Sequence, residues 1–194
     1  MLTSEILDTF RGLLDEAKAS GDREPTAMNL ATFSEGRLHS RIVLLKGVDE
    51  KGLRFFTNYE SAKANEIATH AQVAVCFHWK QIREGIQVRF EGRISKTGAE
   101  ESDAYFATRP RGSQIGAWAS KQSRELPDRQ TFEERVAHYE KTFDGRDVPR
   151  PPHWGGYLVE PDRVEFWYGA RFRLHERIVH AEQGTQWTSC MLYP

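Results

Sequence analysis

The sequence predicts a mainly β fold with peripheral helices (α+β), whose strands form an antiparallel barrel. Short β-rich runs follow one another without regularly alternating helices, which argues against a doubly wound parallel sheet. Turn sequences at 34–37 and 49–52 separate neighbouring runs, as expected for an antiparallel meander. The phosphate-binding glycine motifs GxGxxG and GxxxxGKS/T do not occur in the sequence.

The chain has 194 residues, the usual size of one domain, so we expect a single unit over 1–194. Residues 1–23 are expected to form an N-terminal helix and a linker. Apolar residues recur at helical spacing over 3–19, and Thr3 or Ser4 can cap that helix.

Four further helices are expected later in the chain. They cover 61–70, about 98–108, a stretch that begins at Ser113, and 126–143. The helix over 98–108 should end before Pro110, because the residue that precedes a proline avoids helical conformations. Ser113 is a good N-cap residue for the helix that follows.

The predicted strands are short and alternate apolar with polar residues. They cover 27–33, 40–48, 52–57, 72–79, 86–94, 157–159, 163–168, 173–180 and 185–192. Pro161-Asp162 is expected to form the turn between the sixth and seventh of these runs.

Charge and composition exclude several classes of function. Lys and Arg total 27 against 28 Asp and Glu, so the chain has no broad basic field for nucleic acid or for an anionic membrane surface. No apolar stretch approaches the ~20 residues of a membrane helix, so we expect a cytoplasmic protein. Cys76 and Cys190 are expected to be packing thiols, and because Cys76 with His78 supplies only two ligands, no metal is expected.

Two groups of residues are candidates for binding anions. Arg41 and Lys46 lie five positions apart in one predicted strand, so a regular pleat would send them to opposite faces and toward two different anions. Tyr105, Arg109 and Ser113 recur every four residues and resemble a phosphate socket at a helix start. The alternatives are two cations that reach solvent from an ordinary strand, and an arginine stacked on a tyrosine at a solvated helix end.

A third group alternates along the predicted strand 173–180. Arg173, His175 and Arg177 would project from one face, and their repulsion requires an anionic ligand or nearby carboxylates. A histidine on such a face can donate a hydrogen bond or take a proton near neutral pH.

Amide and aromatic side chains complete the candidate set. Gln87, Gln122 and Ser123 can hydrogen-bond the edge of a heterocycle. Trp167 can line a flat ring system, although a tryptophan in Phe-Trp-Tyr is also typical of core packing. Together, the candidates describe a site for a phosphorylated, flat aromatic ligand.

The sequence from about residue 24 to 194 resembles the pyridoxine/pyridoxamine 5′-phosphate oxidase family. The resemblance rests on EPTAMNLAT (24–32), RIVLLK (41–46), FFTNYESAKA (55–64), YFATRPRGSQIGAWASKQS (105–123), PPHWGG (151–156) and VEFWYGARFRLHER (164–177). It implies an antiparallel FMN-binding split β-barrel that forms a homodimer, with FMN in clefts between the subunits.

The resemblance also implies a role for each candidate residue. Residues that match the family's flavin contacts are Arg41, Ile42, Val43, Leu44, Lys46, Phe56, Thr57, Lys63, Gln87, Gln122, Ser123, Trp167 and Arg177. Those that match its substrate contacts are Lys46, Tyr105, Arg109 and Ser113 around the phosphate, with Arg173 and His175 as catalytic residues over the pyridine ring.

The implied reaction oxidises C4′ of pyridoxine or pyridoxamine 5′-phosphate with dioxygen, in vitamin B6 biosynthesis or salvage. The products are pyridoxal 5′-phosphate and hydrogen peroxide, with ammonia from the amine. One alternative is a related flavin oxidase that acts on another ring, such as a phenazine precursor. Another is a non-catalytic protein that binds flavin or pyridoxal phosphate.

The sequence departs from the family pattern at three places. Many members carry an N-terminal arm that closes over the substrate, and this sequence starts at the predicted helix. Ala62 replaces a basic residue that commonly precedes the flavin-binding lysine, here Lys63, so we expect weaker FMN binding. The tail reads Met191-Leu-Tyr-Pro instead of Arg-Leu-x-Pro.

Overall fold

The computed structural model describes residues 1–184 and 186–194, and within them it contains five α-helices and nine β-strands. The helices are α1 (Ser4–Ala19), α2 (Ala62–Thr69), α3 (Ala99–Ala107), α4 (Arg111–Ala119) and α5 (Arg129–Thr142). The strands are β1 (Ala27–Ser34), β2 (Arg37–Leu44), β3 (Gly47–Asp49), β4 (Gly52–Asn58), β5 (Gln72–Trp79), β6 (Ile86–Lys96), β7 (Trp154–Tyr168), β8 (Glu176–Gln183) and β9 (Gln186–Leu192).

All nine strands pair antiparallel in one sheet, which confirms the predicted fold class. The order is β2-β1-β5-β6-β7-β4-β3, and β8 and β9 extend from β7. One edge of β7 pairs with β4 through its first half and with β8 through its second half. In the described residues no ladder joins the end strands β2 and β3, so the sheet is split and does not close by hydrogen bonds.

The main core lies between the sheet and α1. Thr3 caps α1 by accepting a hydrogen bond from the Ile6 N–H at 3.3 Å, as predicted. Phe10 on the buried face of that helix packs its ring 5.2 Å from Phe77 and 5.1 Å from Phe90. A second apolar cluster, centred on Trp154, lies under the later helices.

The single strand predicted over 40–48 is two strands in the structure. β2 ends at Leu44, and β3 begins at Gly47 after the chain has crossed to β4, where the Lys46 N–H donates to the Arg54 carbonyl at 2.8 Å. Because β2 pairs with β1 while β3 pairs with β4, the pleat is interrupted between Arg41 and Lys46. The prediction that one regular pleat directs the side chains of Arg41 and Lys46 to opposite faces is therefore wrong.

The turn predicted at Pro161-Asp162 is also wrong, because β7 runs through it. The register of the β6–β7 ladder shifts between Glu91 and Gly92, which accommodates the missing N–H of Pro161. Gly92 faces Pro161, and a Cβ at Gly92 would lie 2.6 Å from the Pro161 Cα, so the close approach requires glycine.

The strand predicted over 173–180 begins only at Glu176. Phe172 and Arg173 both take left-handed backbone conformations, with φ of 56° and 61°, which breaks the pleat, and Arg171–Arg173 forms a short 3₁₀ turn. Arg173 and His175 therefore lie in a loop, and the predicted common strand face with Arg177 is wrong. In the last predicted strand, Thr185 lies outside the described residues.

Two helices begin at other residues than predicted: α4 begins earlier and α5 begins later. Pro110 is the N-cap of α4, so Ser113 lies in its first turn and is not the cap. α5 begins at Arg129, and its N-cap Asp128 accepts a hydrogen bond from the Thr131 N–H at 2.7 Å. None of the helices in the described residues has the length and apolar character needed to cross a membrane.

Candidate active site

A cavity of about 520 Å³ lies between β2, β4 and the helices α3 and α4. Most of its walls are residues that the sequence identified: Ile42, Val43, Leu44, Lys46, Phe56, Thr57, Lys63, Tyr105, Arg109, Ser113 and Gln122. Ser123 lines a larger neighbouring cavity of about 900 Å³, which shares only Gln122 with this set. We take the smaller cavity as the site because it brings the predicted anion-binding and ring-binding groups together.

One end of the cavity is cationic, and no described carboxylate forms an ion pair with Arg109 there. The Arg109 guanidinium stacks 4.5 Å from the centroid of the Trp154 ring, and its buried Nη1 has no hydrogen-bond partner in the described residues. Burial lowers the pKa of Arg109, and burial raises the pKa of Tyr105 while the Arg109 charge opposes that rise. Lys46 and Ser113 line the same cavity. The buried, unpaired donor fits a bound anion such as a phosphate.

The four-residue spacing predicted that Tyr105 and Arg109 share one helical face, and this is wrong. α3 ends at Ala107, and Arg109 lies in the turn that follows. The turn nevertheless brings both side chains to the cavity wall together with Ser113. The three residues predicted to form a phosphate socket therefore line one cavity, and a turn between two helices, not one helix, brings them there.

A wall of nearly parallel aromatic rings borders this socket. The ring of Tyr105 stacks on Phe56 at 4.0 Å and lies within 6° of the plane of Trp154. Such a wall suits the face of a flat heterocycle. Trp154 belongs to the motif PPHWGG but was not predicted as a site residue, since no local pattern indicates that it lies under Arg109.

A second cationic centre lies around Lys63, which lines the same cavity. Its Nζ donates to Gln122 Oε1 at 2.7 Å and to Thr57 Oγ1 at 3.1 Å, which joins three of the predicted flavin contacts. Burial and the neighbouring Arg41 charge lower the pKa of Lys63, against the opposing effect of Glu66. An anion that binds between the neighbouring cations Lys63 and Arg41 would stabilise both charges.

Arg41 itself does not line the cavity but is held beside it. Its Nη2 forms an ion pair with Glu66 Oε2 at 2.6 Å, and its Nη1 donates to Thr32 Oγ1 at 2.6 Å. Neither Glu66 nor Thr32 was identified from the sequence. Both are nearly inaccessible to solvent.

A third group forms a row across the sheet outside the cavity. Gln87 on β6 lies opposite Trp167 on β7, which in turn lies opposite Arg177 on β8. Directly paired residues share one face of a sheet, so these three side chains are neighbours. None of them lines the cavity.

A buried carboxylate pairs with Arg177, the one cation of this row. Glu165, with a side chain only 1% exposed, accepts a hydrogen bond from Arg177 Nε at 2.8 Å and another from Arg89. Burial alone would raise the pKa of Glu165, but the hydrogen bonds and charges of Arg177 and Arg89 outweigh it and hold the pKa below its usual range. Glu165 was not predicted as a site residue from the sequence.

His175 is close to the same row although it lies in the loop. Its ring centroid is 4.4 Å from that of Trp167. Its Nδ1 accepts a hydrogen bond from the Ala170 N–H at 3.1 Å, so the neutral ring carries its proton on Nε2. Arg173 in the same loop is exposed and close in sequence to this ring. The described residues contain no group of three His, Cys, Asp or Glu side chains suited to a metal ion.

The chain is similar to proteins of one family along nearly all of its length. Residues 14–143 match the family described as pyridoxamine 5′-phosphate oxidase, and residues 154–194 match the pyridoxine 5′-phosphate oxidase C-terminal dimerisation region. The pyridoxine/pyridoxamine 5′-phosphate oxidase of Xanthomonas campestris pv. campestris strain 8004 is 53% identical over 196 residues, covering 100% of this chain and 98% of that protein. The protein of the same name from Rubrobacter xylanophilus is 51% identical over 186 residues, covering 95% and 85%.

Two solved structures have the same fold. PhzG from Burkholderia lata, in complex with tetrahydrophenazine-1-carboxylic acid, superposes with a TM-score of 0.91 at 29% identity and covers 100% of this chain and 98% of its own. An FMN-binding protein related to pyridoxamine 5′-phosphate oxidase from Nostoc punctiforme superposes with a TM-score of 0.74 at 18% identity over both complete chains, which bears on the fold alone. With both family regions present and half of its residues identical to full-length members, the chain belongs to the pyridoxine/pyridoxamine 5′-phosphate oxidase family.

Proposed function

We propose that this chain oxidises C4′ of pyridoxine or pyridoxamine 5′-phosphate, with FMN as cofactor and dioxygen as electron acceptor. The products are pyridoxal 5′-phosphate and hydrogen peroxide, with ammonia from the amine. Relatives that are 53% and 51% identical over nearly their whole length are named for this activity, and the chain is an oxidoreductase of the same kind. The observation that carries the proposal is one cavity with two cationic centres and an aromatic wall.

The substrate phosphate is assigned to the socket of Lys46, Tyr105, Arg109 and Ser113. The buried Nη1 of Arg109 lacks a partner among the described residues, and an incoming phosphate oxygen would satisfy it. The aromatic wall excludes water from one side of the socket, which strengthens the charge-assisted hydrogen bonds.

The FMN phosphate is assigned to the second cationic centre. Arg41 and Lys63 supply its two charges, and the strand segment Ile42–Leu44 runs along the cavity that would take the ring. Bound FMN supplies two-electron redox chemistry, taking a hydride equivalent from the substrate and passing the electrons to dioxygen. The chain's own contribution is alignment, because two ligands held by separate phosphate sites react as if in one molecule.

Arg173 and His175 are assigned to the substrate ring and its C4′ substituent. The Ala170 N–H fixes the tautomer of His175, which leaves Nε2–H as a donor toward a ring oxygen or the C4′ group. Arg173 supplies a fixed positive charge beside it. Both are proposed to orient and polarise the substrate.

We further propose that the working form is a homodimer in the cytoplasm. The row of Gln87, Trp167 and Arg177 matches flavin contacts of the family but lies outside the cavity of its own subunit. Trp167 and Arg177 belong to the region that matches the dimerisation region, so a second subunit can bring this row to the cavity. Co-expressing Arg41→Ala and Trp167→Ala subunits tests this, because a mixed dimer would regain one intact site while neither variant alone would.

The second candidate function is oxidation of a phenazine precursor. It is favoured by the similarity to PhzG, whose structure contains tetrahydrophenazine-1-carboxylic acid. The socket around Arg109 argues for a phosphorylated substrate instead, since an unpaired buried guanidinium is costly without an anion.

The decisive experiment adds pyridoxine 5′-phosphate or pyridoxamine 5′-phosphate to the FMN-loaded protein in air. Hydrogen peroxide and the aldehyde product are followed together. Turnover is expected with at least one of the two, and unphosphorylated pyridoxine serves as the matched control that should react poorly. No turnover with either phosphate ester, despite bound FMN, would reject the enzyme in favour of a flavin-binding protein. Turnover of a tetrahydrophenazine carboxylic acid alone would favour the second candidate.

A further inference from the structure

Glu66 on α2 has no assigned role, yet it is almost completely buried at the edge of the site. Its side chain is 11% exposed, and Oε2 accepts hydrogen bonds from Arg41 Nη2 at 2.6 Å and from Thr32 Oγ1 at 2.5 Å. Thr32 Oγ1 in turn accepts from Arg41 Nη1 at 2.6 Å. Arg41, Glu66 and Thr32 therefore form a closed triangle of hydrogen bonds.

The triangle determines which donors of Arg41 remain available. Glu66 Oε2 and Thr32 Oγ1 are themselves hydrogen-bonded, so both must face the end of the guanidinium between Nη1 and Nη2. The second hydrogen of Nη1 is directed to the Leu30 carbonyl oxygen at 3.2 Å. Among the described residues, the Nε–H and the adjacent Nη2–H have no partner, and they form one edge of the guanidinium. This is the edge that binds two phosphate oxygens in a bidentate manner.

The carboxylate is charged when it does this. Burial alone would raise the pKa of Glu66, but the hydrogen bond from Thr32 and the Arg41 charge outweigh it and hold the pKa below its usual range. His39 Nδ1 lies 3.7 Å from Oε1 on the other side. Lys63 is close enough for its pKa to respond to both Arg41 and Glu66. The triangle is therefore adjacent to the second cationic centre.

We propose that Glu66 is a positioning residue, which fixes the Arg41 guanidinium beside Lys63 with its free edge directed to the flavin phosphate. This rests on the proposed function, because it takes the FMN phosphate as the anion. An unclamped arginine would have to give up the rotational freedom of its long side chain when FMN binds. Glu66 removes that cost in advance, at the expense of a negative charge near the phosphate.

The two effects of Glu66 predict opposite results, so variants separate them. Glu66→Ala removes the clamp and the charge, whereas Glu66→Gln keeps an acceptor for Arg41 and removes only the charge. If positioning dominates, Glu66→Ala weakens FMN binding about tenfold, the size expected for one charge-assisted hydrogen bond. Glu66→Gln should then stay within about threefold of the wild type. If charge repulsion dominates, both variants bind FMN more tightly, which would overturn the proposal.

The test measures binding of FMN and of riboflavin to the apoproteins by quenching of flavin fluorescence. Riboflavin carries the same ring without the phosphate, so Glu66→Ala should leave riboflavin binding unchanged. In an Arg41→Ala background, Glu66→Ala should cause no further loss of FMN binding, because its favourable effect acts through Arg41. Equal losses for both flavins, or additive losses in the double variant, would mean that Glu66 has only a structural role.

Two controls keep the result interpretable. Thr32→Val removes the two sides of the triangle that meet at Thr32, with almost no change of shape, and leaves the Arg41–Glu66 pair, so it should show a smaller loss that is also specific to FMN even if Glu66→Ala fails to fold. Glu16→Ala breaks an exposed ion pair with Arg83 at 2.6 Å and should change neither flavin's binding. A wild-type apoprotein that binds no FMN would overturn the proposed function as well. Wild-type binding with unchanged Glu66→Ala and Thr32→Val would overturn only the role of Glu66.

Discussion

The Arg109 guanidinium lies over the indole of Trp154, with its Cζ 4.5 Å from the ring centroid, and pairs with no carboxylate of the described residues. Arg41 differs, since it is clamped by Glu66 at 2.6 Å. A guanidinium that stacks on a ring keeps all of its N–H donors free in its own plane. The two proposed phosphate sites therefore differ in what holds the arginine: an aromatic ring at one and a carboxylate at the other.

Replacing Trp154 should weaken substrate binding without weakening FMN binding. Trp154→Leu removes the surface on which Arg109 rests, and a partly desolvated cation–π contact is worth about 1–2 kcal/mol. We expect KM for the vitamer phosphates to rise about five- to thirtyfold, with kcat less affected. The KM of Trp154→Phe should lie between those of the wild type and Trp154→Leu. Trp187→Leu is the control, since the indole N–H of Trp187 donates to the Met1 carbonyl. An unchanged KM in a folded Trp154→Leu protein would contradict the prediction.

Arginine deletions should divide the site into two halves. Arg109→Ala and Arg173→Ala should impair substrate use ten- to a hundredfold, about 1.5–3 kcal/mol, and leave FMN retention nearly unchanged. Arg41→Ala should do the opposite. Steady-state kinetics at saturating FMN, together with flavin titration of the apoproteins, measure both effects. Equal losses of substrate use and FMN retention in all three variants would show that the assignment of the two phosphates is wrong.

His175 should act through Nε2 and not through Nδ1. The Ala170 N–H occupies Nδ1 at 3.1 Å, so only Nε2–H can reach a ligand. Gln places an amide nitrogen near the position of Nε2, whereas Asn can replace only the acceptor at Nδ1. We expect His175→Gln to retain more of kcat/KM than His175→Asn, by about threefold or more, in line with one neutral hydrogen bond. The reverse order would indicate that Nδ1 faces the substrate.

The apoprotein should lose stability in acid partly through Glu165. Its pKa is lower in the folded chain than the ordinary 4.5, because the hydrogen bonds and charges of Arg177 and Arg89 outweigh burial. The unfolded chain therefore binds the proton more tightly, so this stabilisation is complete above pH 4.5 and is lost as the pH falls through the folded pKa.

Glu165→Gln tests this assignment by urea denaturation at pH 7 and across about pH 5 to 3. The variant should be less stable at pH 7 by about 1–3 kcal/mol, because it leaves Arg89 and Arg177, which are only half-buried, without their charge partner. Its stability should also fall less steeply in acid. Glu133→Gln, at an exposed pair with Arg129, is the control. An acid slope equal to that of the wild type would contradict the role of Glu165.

Gly169 should be intolerant of a side chain. Its N–H donates to the Gly85 carbonyl at 2.7 Å, and a Cβ would collide with the Glu84 carbonyl, just before the loop that carries Arg173 and His175. We expect Gly169→Ala to lower the free energy of unfolding by about 1–3 kcal/mol and to lower kcat/KM as the loop shifts. Gly12→Ala, in α1 with open space around it, should instead stabilise by about 0.5–1 kcal/mol. Thermal melts of both variants decide the comparison.

Local sequence predicted what depends on short-range physics. The cap at Thr3, the helical spacing of α1 and the alternation along β5 follow from residues only a few positions apart, and all three are confirmed. The break between Leu44 and Gly47 and the left-handed backbone at Phe172 were missed. At the first of these places, the chain leaves the ladder with β1 and pairs with β4, a choice of partner that the local sequence does not specify.

The periodicity of apolar residues predicted the fold class, and the resemblance of the motifs indicated the family, because both depend only on the order of residues along the chain. The tertiary structure alone decided that Trp154 supports Arg109, that Glu66 clamps Arg41, and that Glu165 holds Arg177. These partners lie on different elements, and no local pattern specifies which side chains meet. These contacts form only in the folded sheet, which brings the distant partners together at a cost in conformational entropy.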